Sequence, residues 1–181
     1  MKICLDAGHG GKDPGAIGTA PFRLEEKEIN LAITKLLEES LEPLGHWVAL
    51  TRRRDVFISL EARSLFANQL GADLFISIHT NSFYSPDISG IEVFYCPGSG
   101  KGKTLAEKIL ESLMNSFPNH NNRGIKSRDL KVLRETKMPA VMVEVEFLSN
   151  PEQLQFLAAE KNREALANAI SKGIDKYIAS G

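Results

Sequence analysis

Apolar residues along the chain repeat with two periods, and the way the periods alternate predicts the architecture. A short apolar run at residues 3–5 stops in Gly8-His9-Gly10-Gly11-Lys12-Asp13-Pro14-Gly15, which predicts a strand followed by a tight loop. Beyond Glu25, the residues Ile29, Ile33, Leu36, Leu37 and Leu41 recur at helical spacing, and Pro43-Leu44-Gly45 ends that helix. Residues 46–51 predict a second strand, 60–70 a second helix, and 73–79 a third strand apolar enough to be buried on both faces. A turn-rich insertion at 80–90 leads to a strand at 91–95 and a helix at 103–117. The polar run 119–129 reads as an exposed excursion, 131–133 as a short strand and 139–147 as a strong one. Two amphipathic helices from 151 to 178 close the pattern.

Strands alternating with helices predict an α/β fold, with one domain over residues 1–181. It is an open, mostly parallel twisted sheet of about six strands with helices on both faces. A chain of 181 residues, 43% hydrophobic, buries a full core unaided, so any metal serves chemistry rather than folding. A net charge of -1 gives no electrostatic reason to bind nucleic acid or an anionic membrane. No stretch is long and apolar enough for membrane insertion. The first residues read as a strand rather than a signal peptide, so action outside the cell requires export by other means, release at lysis, or excision from a longer protein. Cys4 and Cys96 show no metal-binding spacing and read as free thiols.

Sites in open α/β sheets form at the carboxyl ends of strands. Two of the four histidines meet that condition, His9 and His79. His46 begins its strand at the opposite edge, and His120 reads as a surface loop residue. Two imidazoles leave a catalytic zinc one protein ligand short, and a carboxylate is the usual third. Glu26, at the start of the first helix, returns to the right edge, with Glu25 and Glu28 as competitors. A general base belongs on another strand end, where Glu144 and Glu146 share one face if the strand stays regular. Two nucleotide motifs fail. Asp13 stands where a dinucleotide fingerprint needs its third glycine, and Pro97 where a phosphate loop needs its first.

The segments Asp6-Ala7-Gly8-His9-Gly10-Gly11, Glu26-Lys27 with Asn30-Leu31, Ser77-Ile78-His79-Thr80-Asn81, and Pro139-Ala140-Val141-Met142-Val143-Glu144 with Phe147-Leu148-Ser149-Asn150 stand in one order. Together they resemble the zinc-dependent N-acetylmuramoyl-L-alanine amidases. The resemblance implies hydrolysis of the amide between the lactyl group of N-acetylmuramic acid and the L-alanine of the stem peptide in peptidoglycan. It implies one zinc ion (Zn2+) per chain held by His9, Glu26 and His79, with Glu144 as the catalytic residue. Because the family's ligand glutamate directly precedes a lysine, the resemblance implies Glu26, before Lys27, rather than Glu25. One departure stands out: the position two after the catalytic glutamate is usually small in the family, and here it is Glu146. The expected partner is the muropeptide, met by a monomer acting on the cell wall, and Arg63 and Arg134 are candidates for binding stem-peptide carboxylates. The rival readings are a wall-binding module without turnover and a zinc peptidase or deacetylase acting on another amide.

Overall fold

The computed structural model describes residues 1–180. In chain order the elements are β1 (Lys2–Ala7), β2 (Ile17–Gly18), β3 (Leu24–Glu25), α1 (Glu26–Leu41), β4 (Trp47–Leu50), α2 (Leu60–Leu70), β5 (Leu74–Asn81) and β6 (Ile91–Tyr95). They continue as α3 (Gly100–Ser116), β7 (Asn122–Ser127), α4 (Lys131–Arg134), β8 (Ala140–Phe147), α5 (Pro151–Ala158) and α6 (Glu160–Ala179). Six strands form one sheet in the order β4-β1-β5-β8-β6-β7, and β2 pairs with β3 in a separate small ribbon. All neighbouring pairs in the large sheet are parallel except β6 with β8. The expected open, mostly parallel α/β sheet is therefore the observed one.

Strand alternation divides the core between the two faces. Leu5, Ile76, Ile78, Val141 and Val143 meet Ile33 and Leu37 of α1, Leu105 and Ile109 of α3, Leu154 of α5 and Ile170 of α6. The opposite residues, Cys4, Phe75, Phe94 and Met142, pack on Ala67 of α2 and on Val132 and Leu133 of α4. This second cover is small, and it leaves that face of the sheet open near the carboxyl ends of β1, β5 and β8.

Two segments depart from the sequence expectation. Residues 122–127 are a parallel edge strand rather than an exposed excursion. Arg123 and Lys126 carry the charges that disguise it, and both pair with the buried Glu92 of β6. Residues 131–134 are a single helical turn and not a short strand. Val132 and Leu133 are adjacent and both buried, which a strand with one solvated face cannot achieve. The reversed direction of β6 also explains the phosphate-loop lookalike. The turn after β6, Pro97 to Thr104, lies at the opposite edge of the sheet from the carboxyl ends of β1, β5 and β8.

Candidate metal centre

His9 follows β1, His79 lies in β5 and Glu26 opens α1, and one donor atom from each lies within 4.8 Å of the others. Close backbone approach makes this possible. The Gly8 amide donates to the Ile78 carbonyl at 3.1 Å, and a Cβ on Gly8 would stand 2.3 Å from the His79 ring. A Cβ on Gly15 would lie 2.5 Å from Glu26 Oε2 and 2.6 Å from His9 Cδ2. Only glycine permits either approach.

His9 has φ 61°, in the left-handed region that costs a residue with a Cβ about 1 kcal/mol or more. Two arginines brace that loop from beneath. Arg63 donates to the carbonyls of Ala7 at 2.6 Å and His9 at 2.7 Å, and Arg52 donates to those of Ala7 and Gly8, both at 2.9 Å. Arg63 also meets Asp6 Oδ1 at 2.7 Å, and Asp6 accepts hydrogen bonds from the hydroxyls of Thr51 and Ser77. Burial alone would raise the Asp6 carboxyl, but Arg63 and these hydrogen bonds outweigh it and hold the group below its ordinary value. Arg63 is therefore buried in the scaffold rather than a binder of stem-peptide carboxylates. Arg134 pairs with Asp129 at 2.5 Å and lines a cavity with Cys96 and Ala140 at the opposite sheet edge, so it too is remote from the cluster.

The structure separates the three competing acids of the first helix. Glu25 pairs with Arg23 and Lys27, and Glu28 accepts the Glu25 amide at 3.4 Å, so both are engaged at the helix start. Glu26 turns inward and is buried. Its Oε1 lies 2.9 Å from His79 Nδ1 and accepts from the Thr80 amide at 3.1 Å. Its Oε2 lies 3.3 Å from His9 Nε2 and accepts from the Ala16 amide at 2.8 Å. Burial opposes charge on all three groups, yet the contacts win: Glu26 is held well below the carboxylate range, His79 is raised, and His9 is pushed up to about 9. A buried carboxylate between two imidazoles is a site built for positive charge.

A zinc ion fits that demand. Tetrahedral ligands at roughly 2.0 Å from the ion stand roughly 3.3 Å from one another; here each imidazole faces its own Glu26 oxygen, at 2.9 and 3.3 Å, and one donor per residue lies within 4.8 Å of the others. The other nitrogen of His9, Nδ1, lies 2.8 Å from Asp13 Oδ2, and Asp13 Oδ1 accepts the Gly15 amide at 3.1 Å. That contact fixes the ring so that Nε2 faces Glu26. Asp13 has no role in the sequence reading, although a carboxylate four residues after a histidine in a glycine loop was a visible sign of one.

Glu144 lies directly across from His79 in the parallel ladder and directly across from Glu92 in the antiparallel one. Its Oε2 is buried without a hydrogen-bond partner. Burial pushes the carboxyl up to about 7, with Glu26 and Glu92 raising it and the histidines opposing. Glu146 does not share this face. The ladder with β5 pairs His79 with Glu144 but Asn81 with Phe147, so β8 carries one extra residue there. Glu146 falls in that bulge at φ 154°, fully buried, where its Oε2 accepts the Gly90 amide at 2.6 Å and its Oε1 lies 2.8 Å from His120 Nδ1. His120 is accordingly no surface residue, because its ring packs against Phe117 and Phe156 on the other face of the sheet. His46 stays at the far edge, 3.1 Å from Asp175.

Beside His9 and His79 opens an apolar cleft of about 350 Å³, lined by Phe57, Leu60, Val132 and Met142 among others. An open α/β sheet with two imidazoles and a carboxylate at its carboxyl edge, an unpartnered acid alongside and a cleft in front has the form of a hydrolytic metal centre. The sequence model of the N-acetylmuramoyl-L-alanine amidase family matches residues 3–176, and the chain belongs to that family. It is 33% identical over 220 aligned residues to the N-acetylmuramoyl-L-alanine amidase AmiC of Neisseria meningitidis, covering 97% of this chain and 52% of that protein. It is 34% identical to the probable cell wall amidase LytH of Staphylococcus epidermidis, covering 98% of this chain and 58% of that one. The chain thus spans little more than half the length of these curated relatives. Among solved structures, the CwlD amidase from Clostridioides difficile, determined in complex with the GerS lipoprotein, superposes with a TM-score of 0.95 at 36% identity, covering 99% of both chains.

Proposed function

We propose that this chain hydrolyses the amide between N-acetylmuramic acid and L-alanine in peptidoglycan, with one zinc ion held by His9, Glu26 and His79 and with Glu144 as general base. The carrying observation is the convergence of those three donors beside the unpartnered Oε2 of Glu144. When bound, zinc activates a water and polarises the scissile carbonyl. Glu144 takes the proton from that water and passes it to the leaving amine. A carboxyl brought by burial to about 7 can do both near neutral pH. Asp13 keeps His9 oriented, and Arg52 and Arg63 hold the strained loop beneath it. Family membership supports the choice of amide over the rival peptidase and deacetylase readings. The intact donor set supports turnover over a wall-binding module. The place of action that follows is the cell wall. No described helix is long and apolar enough to cross a membrane.

The test is mass spectrometry of purified peptidoglycan digested with zinc-loaded protein. The expected products are stem peptides with a free L-alanine amino group and glycan strands with free lactyl carboxylates. Products cut between amino acids, or released acetate, would refute the assignment.

A further inference from the structure

Behind Glu144 the sheet carries a run of charge that the reaction does not use. His79, Glu144 and Glu92 lie in direct register on β5, β8 and β6 and so project from the same face. With strands roughly 4.8 Å apart, Glu92 stands roughly 10 Å from His79. The next strand, β7, brings the tips of two cations to Glu92. Arg123 Nε donates to Glu92 at 2.9 Å, and Lys126 donates to the same carboxylate. Asn81 Nδ2 donates to the other Glu92 oxygen at 3.0 Å. Lys126 pairs with Phe94 in the ladder, and the Arg128 guanidinium lies 5.4 Å from the Phe94 ring. Glu92, Phe94, Lys126, Ser127 and Arg128 line an open cavity of about 480 Å³. Glu92 holds two of these cations, Arg123 and Lys126, and Arg128 over the Phe94 ring has no carboxylate partner among the described residues. The shelf has surplus positive charge and room for a ligand.

Resting on the amidase reading, we propose that this shelf, with Lys126 and Arg128 as its binding groups, is the subsite for a free carboxylate of the stem peptide. Two independent features give the peptide this direction. The amine that leaves must lie on the side of Glu144, because that carboxyl protonates it, and Glu144 separates His79 from β6 and β7. The charge of the substrate agrees, since once the lactyl group is amidated the neutral sugars carry no carboxylate and the peptide carries them all. Extended peptide covers roughly 3.3–3.6 Å per residue, so the second or third stem residue reaches the shelf. The apolar cleft beside His9, with Phe57 and Leu60, is left to the muramoyl side.

The experiment compares zinc-loaded wild type, Lys126→Gln and Arg128→Gln on synthetic muropeptides differing only in a free carboxylate or a carboxamide, at the second residue in one pair and at the third in the other. Wild type is expected to prefer the free carboxylate about two- to fivefold in kcat/KM at one of the two positions, the range of partly exposed charge pairs. Each variant should lose most of that preference, through KM rather than kcat, and more salt should erase it in wild type. Equal rates on both members of both pairs, or an undiminished preference in both variants, overturns the proposal. Calorimetry with the free stem tripeptides, acid and amide, gives the answer without turnover. If no muropeptide is cleaved but wild type binds the acid tripeptide more tightly and Arg128→Gln does not, the amidase reading fails and the carboxylate shelf stands. If acid and amide bind alike, the shelf fails whatever the enzyme cleaves.

Discussion

Replacing Glu146 by glycine sets two opposed effects against each other at one residue. The backbone at φ 154° is strained for any side chain, and glycine relieves that strain, worth about 1–3 kcal/mol. Against it stands what the side chain holds: the Gly90 amide, buried and bonded at 2.6 Å, and the His120 ring at 2.8 Å. Leaving a buried N–H unpaired costs about 1–3 kcal/mol, and the His120 bond contributes about 1 kcal/mol more. The two buried methylenes add about 1.5 kcal/mol. Losses near about 4.5 kcal/mol against a relief near about 2 leave Glu146→Gly less stable by about 2.5 kcal/mol, or about 5–10 °C in Tm for a chain of this size. Glu146→Ala keeps the strain and loses the bonds, so it should fall about 1–2 kcal/mol further. Glu146→Gln keeps an acceptor and should lie between wild type and glycine. Urea denaturation of the four proteins at constant m reads this order. Because Glu146 faces away from Glu144, the pH profile of hydrolysis should stay where it is in the glycine variant. A glycine variant more stable than wild type would mean that strain outweighs the bonds. A displaced pH optimum would mean that the two carboxylates communicate after all.

Glu144→Gln should retain one zinc per chain and lose about two to four orders of magnitude in rate; an active Glu144→Gln beside a dead Glu146→Gly would reverse the assignment of the base. Zinc binding should release protons and tighten as pH rises, since His9 with a value of about 9 is protonated at pH 7 in the metal-free protein and must give that proton up. Titration in two buffers of different ionisation enthalpy measures the release, and His79→Ala should abolish stoichiometric uptake. Chelation should stop hydrolysis while far-ultraviolet circular dichroism persists, the core being independent of the ion; loss of that signal would contradict this. Arg63→Met strands the Asp6 charge in the core and should cost about 3–5 kcal/mol at pH 7. The folded Asp6 value lies below its ordinary 3.8, so the stability it confers is complete above 3.8 and fades as pH falls through the folded value. The penalty, read from urea midpoints, should accordingly shrink in acid.

The sequence carried the site further than it carried the surroundings. His9 and His79 are legible because a polar ring closing an apolar strand has a position dictated by topology. Glu26 is less so: three acids share one helix turn, and beyond the family's following lysine it is set apart by the engagement of Glu25 with Arg23 and Lys27 and of Glu28 with the Glu25 amide. Strand β7 escapes periodicity analysis because its charges are balanced by one buried acid on the neighbouring strand, a pairing between residues 31 and 34 positions apart. The bulge at Glu146 has no local signature beyond an acid where the family usually has a small residue. His120 gains a meaning only once that bulge turns Glu146 toward it.

Strand β8 lies between β5 and β6 yet follows both in the chain. During synthesis the strands of β4-β1-β5 and of β6-β7 therefore all emerge before β8, the strand that joins these two pieces of the sheet. His9, Glu26 and His79 all belong to the earlier piece, and Glu144 comes with the strand that joins the pieces. On the proposed roles, the donors for an ion and the base for the cut thus arrive at different times. Such a late, sequence-distant pairing is slow to form, and until it does a partly made chain has the proposed ligands without the proposed base.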